Sequence, residues 1–269
     1  MKYYHIDSFS SELFRGNPAG VCILGDSWLP EQLMQNIAFE INLSETAFVI
    51  CRDGEYHIRW FTPAIEVDLC GHATFAAFYV IANFEGYEGN SIRFRSASGE
   101  LRAFKDGDLI TIDLPAANIE PKDYLWDFEC FDSHPIEVYA AKDEYMFVFE
   151  REEQIANIVY DLGNIAKVDS QGIIVTAPGN GDLDFVSRYF GPNCGIPEDP
   201  VTGAAHTLLV PYWTARLDKT SLEAAQLSKR GGRLSCRLEQ KNQGTEPSDG
   251  RRVLLSGHGK LFMRGSIIL

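Results

Sequence analysis

The stretch Gly195 to Trp213, GIPEDPVTGAAHTLLVPYW, decides how the chain is read. It opens with turn residues and two adjacent carboxylates, Glu198 and Asp199, followed by Pro200. Thr202-Gly203-Ala204-Ala205 then leads into the apolar run Leu208 to Val210. A loop feeding a helix N-terminus has this pattern, which predicts a buried helix from about Gly203 to Arg216. The first N–H groups of such a helix find no acceptor within it and attract anions. Small residues there let a ligand approach the backbone, so an acid and a hydroxyl crowded onto this helix start mark a candidate site.

The arrangement occurs a second time. Asp68-Leu69-Cys70-Gly71-His72-Ala73-Thr74 precedes the apolar run Phe75 to Ala82. Upstream, Arg59-Trp60-Phe61-Thr62-Pro63 matches Arg188-Tyr189-Phe190-Gly191-Pro192, an offset of 129 residues in a chain of 269. Pattern, order and spacing agree together, so the chain reads as an internal duplication. Each half supplies strands, a loop and a helix that is apolar on nearly all sides. Such a helix must be buried all round, most simply by a curved sheet wrapped about it. The expected fold is α+β, with two pseudo-symmetric lobes, each a curved, mostly antiparallel sheet around a central helix. The N-terminal lobe is expected over 1–116 and the C-terminal lobe over 117–260, with the last strand, 261–269, able to return to the first. Two helix N-termini could then face one cleft.

Composition narrows the function. The formal net charge is −14. That argues against nucleic acid, whose phosphates demand a basic face, and against an anionic membrane surface. An acidic protein that binds a small anion needs a local positive field, which helix N-termini provide. The start, MKYYHIDSF, has no apolar core of the signal-peptide kind, and no apolar run is long enough to span a bilayer. Six cysteines lie far apart without a C-x-x-C pair, so free thiols in the cytoplasm are expected.

Along the chain, strands are expected at Tyr3–Phe9 and Ala19–Leu24, and a helix opened by Pro30. A hairpin of Ala47–Cys51 and Tyr56–Phe61 precedes the helix Gly71–Phe84, and strands follow at 91–96, 101–105 and 109–114. The second half should hold strands at 137–141, 145–150, 172–177 and 185–190, and a helix over Gln154–Asp161. A short helix over Leu222–Lys229 precedes a hairpin of Leu234–Leu238 and Arg252–Leu255, whose polar tip, 239–250, is expected to be mobile.

Several residues could carry chemistry. Glu45, between Ser44 and Thr46, is either a surface turn glutamate or a general base aimed into the cleft. His72, one residue inside a helix start, is either a local cap contact or a neutral imidazole bonded to a substrate oxygen. Asp199 is either an N-cap carboxylate or a second acid/base group, at a place corresponding roughly to Cys70. Cys70 is either a small core residue or a thiol activated by the helix end. Asn17, Ser44, Cys70, Gly71, Ala73, Thr202, Gly203 and Ala204 make up the candidate substrate-binding set. There is no G-x-S-x-G elbow, P-loop or dinucleotide fingerprint, and the histidines show no metal-ligand spacing. No cofactor and no metal are expected.

Taken together these stretches resemble the PhzF-type isomerases, the phenazine biosynthesis PhzF-like family of the diaminopimelate epimerase-like fold. The resemblance rests on Asp7-Ser8-Phe9, Phe14-Arg15-Gly16-Asn17-Pro18-Ala19, Asn42-Leu43-Ser44-Glu45-Thr46-Ala47-Phe48, Arg59 to Pro63, Leu69 to Thr74 and Glu198 to His206, in order along nearly the whole chain. It implies cofactor-free proton transfer in a site between two lobes, and commonly a homodimer. It implies that Glu45 is the key carboxylate and that His72 and Asp199 support it. One position departs: Ala204 stands where the family motif usually has serine. A hydroxyl able to bind a substrate oxygen is missing, which implies a different substrate or reduced activity.

The leading reading is therefore an isomerase that moves a proton on a small carboxylate-bearing substrate, with burial raising the Glu45 pKa toward neutrality. One rival is an epimerase or racemase using Cys70 and Asp199 on opposite faces of one carbon. Another is a binding protein that has kept the fold without the chemistry.

Overall fold

The computed structural model describes residues 1–124, 129–141, 143–240 and 250–269. The chain divides into two compact units, one of residues 1–114 with 255–269 and one of residues 115–254.

In the first unit the strands are β1 (Lys2–Ser8), β2 (Asn17–Gly25), β3 (Glu45–Arg52), β4 (Glu55–Phe61), β5 (Glu66–Val67), β6 (Ser91–Ser96), β7 (Gly99–Asp106) and β8 (Leu109–Pro115). Helix α1 (Glu31–Ile41) connects β2 to β3, and α2 (Gly71–Phe84) connects β5 to β6. The pairs β1–β2, β3–β4, β4–β5 and β6–β7 are antiparallel, while β2–β3 and β4–β6 are parallel because each is joined by a helical crossover. Helix α2 packs against β1, β2, β3 and β7. Every residue from Gly71 to Phe78 is buried, as are Val80 and Ile81, as expected of a helix with no polar face.

The second unit repeats this plan. Its strands are β9 (Glu120–Pro121), β10 (Glu137–Ala141), β11 (Glu144–Val148), β12 (Gly172–Pro178), β13 (Phe185–Gly191), β14 (Ile196–Asp199), β15 (Ser221–Gln226) and β16 (Gly232–Gln240). Its helices are the short α3 (Glu152–Asn157) and α4 (Leu162–Ile165), and the buried α5 (His206–Leu217). The run β10, β11, β12, β13, β14, α5, β15, β16 matches β1, β2, β3, β4, β5, α2, β6, β7 in order and in strand direction. β11–β12 and β13–β15 are parallel, and β10–β11, β12–β13, β13–β14 and β15–β16 antiparallel. The chain ends with β17 (Arg251–Gly257) and β18 (Gly259–Ser266), and β18 pairs antiparallel with β1 in the first unit.

The duplication extends to side chains. Arg59 on β4 binds Glu66 on β5 (Nε to Oε1, 2.6 Å) and lies 5.2 Å over the Phe61 ring. Arg188 on β13 binds Glu198 on β14 (Nε to Oε1, 2.7 Å) and lies 5.2 Å over the Phe190 ring. The matched Arg-x-Phe therefore has one job in both halves. The guanidinium ties a short strand to the sheet through a carboxylate and stacks on the aromatic two residues on.

Three expectations need correction. Residues 222–229 are not a helix; Ser221–Gln226 is strand β15. Leu222 and Ala224 are buried while Ser221 and Glu223 are exposed, a two-residue period, and pairing with β13 and β16 overrides the helix propensity of Leu-Glu-Ala-Ala-Gln. The helix expected over 154–161 ends at Asn157, because Ile158 turns extended to bury its side chain and Tyr160 packs on Phe190 with ring centroids 4.4 Å apart. Helix α5 starts at His206 rather than Gly203. Residues 203–205 form a tight turn, with the N–H groups of His206, Thr207 and Leu208 donating three residues back to Gly203, Ala204 and Ala205. The mobile tip expected at 239–250 falls mainly on 241–249, outside the described residues.

Pro211 lies inside α5. It has no N–H to offer the carbonyl four residues back, and that carbonyl, of Thr207, accepts instead from Ala117 N–H at 3.0 Å. Among the described residues no helix is long and apolar enough to cross a membrane.

Candidate active site

In the first unit four side chains meet where β1 ends, β2 and β3 begin and α2 starts. Register sets this convergence: Ser8 pairs with Asn17, and Ala19 pairs with Glu45. Asn17 opens β2, Glu45 opens β3, Cys70 is the N-cap of α2 and His72 is its second residue. All four are buried. The turn delivering Asn17 depends on Gly16, whose φ of +69° suits glycine and whose place leaves no room for a Cβ against the Ser8 carbonyl oxygen. Ser8 in turn donates its hydroxyl to the His72 carbonyl at 3.0 Å, fixing the first turn of α2.

His72 is the hub. Its Nε2 lies 3.3 Å from Glu45 Oε2, and its Nδ1 lies 3.2 Å from Asn17 Nδ2 and 3.5 Å from Cys70 Sγ. The Asn17 amide nitrogen can only donate, so in this orientation Nδ1 accepts and the ring proton sits on Nε2, on the Glu45 side. Glu45 is no surface turn residue. Its side chain keeps only 11% of its area exposed, and its Oε2 is buried. Cys70 carries the N-cap without a side-chain cap bond, and its carbonyl accepts from both Thr74 N–H and the Thr74 hydroxyl. Gly71 and Ala73 are buried in the first turn of α2, and Ser44 is half-buried immediately before Glu45.

A second cluster forms within the second unit. Asp199 closes β14 and is buried. Its Oδ2 accepts from the Thr202 hydroxyl at 2.6 Å. Gln226, on β15 and 1% exposed, staples this loop. Its Oε1 accepts Thr202 N–H at 2.8 Å, and its Nε2 donates to Asp199 O at 2.7 Å and to Thr202 Oγ1 at 3.1 Å. An amide nitrogen can only donate, so Thr202 Oγ1 accepts from it and has its one proton left for Asp199. Thr202, expected as a substrate contact, thus uses both N–H and hydroxyl inside the loop. Gly203 is buried, Ala204 half-buried, and both belong to the turn that enters α5. His206 follows, fully buried, with Nδ1 2.8 Å from Thr202 O. Burial pushes its pKa down to about 4, so the imidazole is neutral. Sequence reasoning missed Gln226 as a functional residue. The available signal was the polar–apolar alternation Ser221-Leu222-Glu223-Ala224 of its strand, hidden under a helix-like composition.

The repeated sheet-and-helix plan defines an α+β fold of the PhzF type. Within that class the chain belongs to the PhzC-PhzF family, whose profile, described as phenazine biosynthesis-like protein, matches residues 6–265. It is 44% identical over 269 residues to an uncharacterized isomerase of Pseudomonas aeruginosa, covering 99% of this chain and 98% of that one. It is 35% identical over 282 residues to a human phenazine biosynthesis-like domain-containing protein, covering 93% of this chain and 96% of the relative. The crystal structure of a PhzF family protein from Enterococcus faecalis matches with a TM-score of 0.90 at 41% identity, covering 100% of this chain and 99% of that one. The chain is an isomerase of the PhzF-like type.

Proposed function

We propose that the protein moves a proton between two positions of a small carboxylate-bearing substrate without a cofactor, and that Glu45 is the group that takes and returns it. The observation that carries this reading is the buried Glu45 side chain, 11% exposed, with Oε2 3.3 Å from His72 Nε2. A general base must be reachable, yet desolvated enough for proton transfer to be nearly balanced. His72, held by Asn17 and by the Ser8 bond to its carbonyl, directs its Nε2–H toward Glu45 and orients the carboxylate. The first N–H groups of α2 favour the negative charge that develops when the proton leaves. Asp199, oriented by Thr202, is proposed as the second acid/base group. A small anion suits an acidic protein that meets it with helix ends rather than lysines. Ala204 in place of the usual serine points to a substrate with one fewer polar contact.

The test begins with mass spectrometry of small acids retained through gentle purification. The retained acid is then incubated with the enzyme in deuterium oxide. Incorporation of deuterium at carbon supports the reading; retention without any exchange would make the protein a binder instead.

A second reading is favoured by one contact, Cys70 Sγ to His72 Nδ1 at 3.5 Å. A thiol beside an imidazole can become the nucleophilic or basic group of an epimerase. Full exchange activity in Cys70→Ala would eliminate it.

A further inference from the structure

We propose that Glu45, Cys70 and His72 also form a binding site for a thiophilic divalent cation of the zinc class. The three donors come from two elements, β3 and the start of α2, and their ligand atoms all lie within 4.8 Å of one another. Cys70 Sγ and His72 Nδ1 are 3.5 Å apart. Bond lengths of about 2.3 Å to sulfur and about 2.05 Å to nitrogen at a tetrahedral angle place those two ligands about 3.5 Å apart. The pair is therefore already at the separation a tetrahedral ion needs. Glu45, whose Oε2 now lies 3.3 Å from Nε2, completes the set when its side chain turns to bring a carboxylate oxygen to about 2.0–2.2 Å from the metal.

The charge balance favours the ion despite burial. Binding replaces the thiol proton of Cys70, which leaves to solvent. One thiolate and one carboxylate then neutralise the dication, with His72 neutral, so no net charge is buried. No oxidation or reduction is involved. The donor set of sulfur, nitrogen and oxygen selects against magnesium and calcium, which take oxygen ligands. Three protein ligands leave a fourth position for water or a substrate carboxylate. The histidine spacing of the sequence gave no hint of this site, because two donors sit at Cys-x-His and the third arrives 25 residues upstream of Cys70 through sheet register.

Occupancy by such an ion ties up the proposed base, so metal and turnover exclude one another; that clause alone rests on the function proposed above. The site itself is tested without activity, by titrating the metal-free protein with Co²⁺ and recording its absorption. One equivalent is expected, with a thiolate-to-cobalt charge-transfer band in the near ultraviolet and displacement by stoichiometric Zn²⁺ but not by a hundred-fold excess of Mg²⁺. Cys70→Ala should lose the band, and Glu45→Gln should weaken binding at least ten-fold, while Cys51→Ser, at an exposed thiol, retains both. Absence of the band in the folded wild-type protein overturns the proposal, as does its persistence in Cys70→Ala or its loss in Cys51→Ser. If cobalt binds as expected and Zn²⁺ fails to block deuterium exchange, the site stands and the assignment of Glu45 as base falls.

Discussion

Lowering the pH should weaken the second unit through His206, by an amount the structure sets. The ring is fully buried against Phe185, its Nδ1 is held by the Thr202 carbonyl, and burial depresses its pKa to about 4. In the unfolded chain an ordinary histidine titrates near 6.5. Between those values the unfolded chain binds a proton and the folded one does not. Stability is therefore full above about pH 6.5 and is lost as pH falls through the window down to about 4. The linkage amounts to about 2 kcal/mol at pH 5, almost nothing at pH 7, and about 3 kcal/mol at its limit. Other groups titrate too, so the clean comparison is with His206→Asn, whose amide nitrogen can replace Nδ1 but cannot be protonated. Urea unfolding of both proteins should show the variant less stable at pH 7, with the gap narrowing by about 2 kcal/mol at pH 5. An unchanged gap between pH 7 and pH 5, or a His206 resonance titrating near 6.5 in the native protein, would refute the reasoning.

Other consequences follow from named contacts. Gln226→Leu strands the buried Thr202 N–H and Asp199 carbonyl, so it should lower stability by about 2–4 kcal/mol in urea titrations, and disturb Asp199 enough to slow exchange. Gly16→Ala forces a Cβ into the Ser8 carbonyl at positive φ. A loss of at least about 2 kcal/mol is expected, seen as a lowered midpoint of thermal unfolding. Arg188→Met leaves Glu198 with 17% of its side chain exposed and no cation beside it, whereas Arg59→Met leaves Glu66 at 32%. The first should destabilise by about 3 kcal/mol or more and the second by clearly less, compared by the same unfolding assay.

Much of this fold was written in local pattern. Helix α2 was legible because Phe75-Ala76-Ala77-Phe78 with Val80 and Ile81 leaves no face for water. The repeat was legible because Arg-x-Phe does the same work twice, pairing a carboxylate and stacking on its own strand. What composition hid was decided by distant partners. Ser221–Gln226 has helix-forming residues, yet β13 and β16 claim it from either side, and Asp184 accepts the Glu223 N–H. The entry to α5 could not be placed to the residue, because Thr202 and Gly203 are held by Gln226 and by a turn rather than by the helix. In the candidate site, Glu45 and His72 could each be suspected from position beside a helix end. Their approach to 3.3 Å, and the gathering of Asn17 and Cys70 about the same ring, depend on sheet register that no spacing in the sequence encodes.

Deuterium wash-in from solvent reads directly whether one carboxylate handles the migrating hydrogen. For the acid the protein retains, wild type should place deuterium at carbon at the rate of turnover. Glu45→Gln, which keeps shape and hydrogen bonding but cannot accept a proton, should fall by about a thousand-fold or more. Wash-in by the folded Glu45→Gln protein within about ten-fold of wild type would contradict the account, whatever the substrate proves to be.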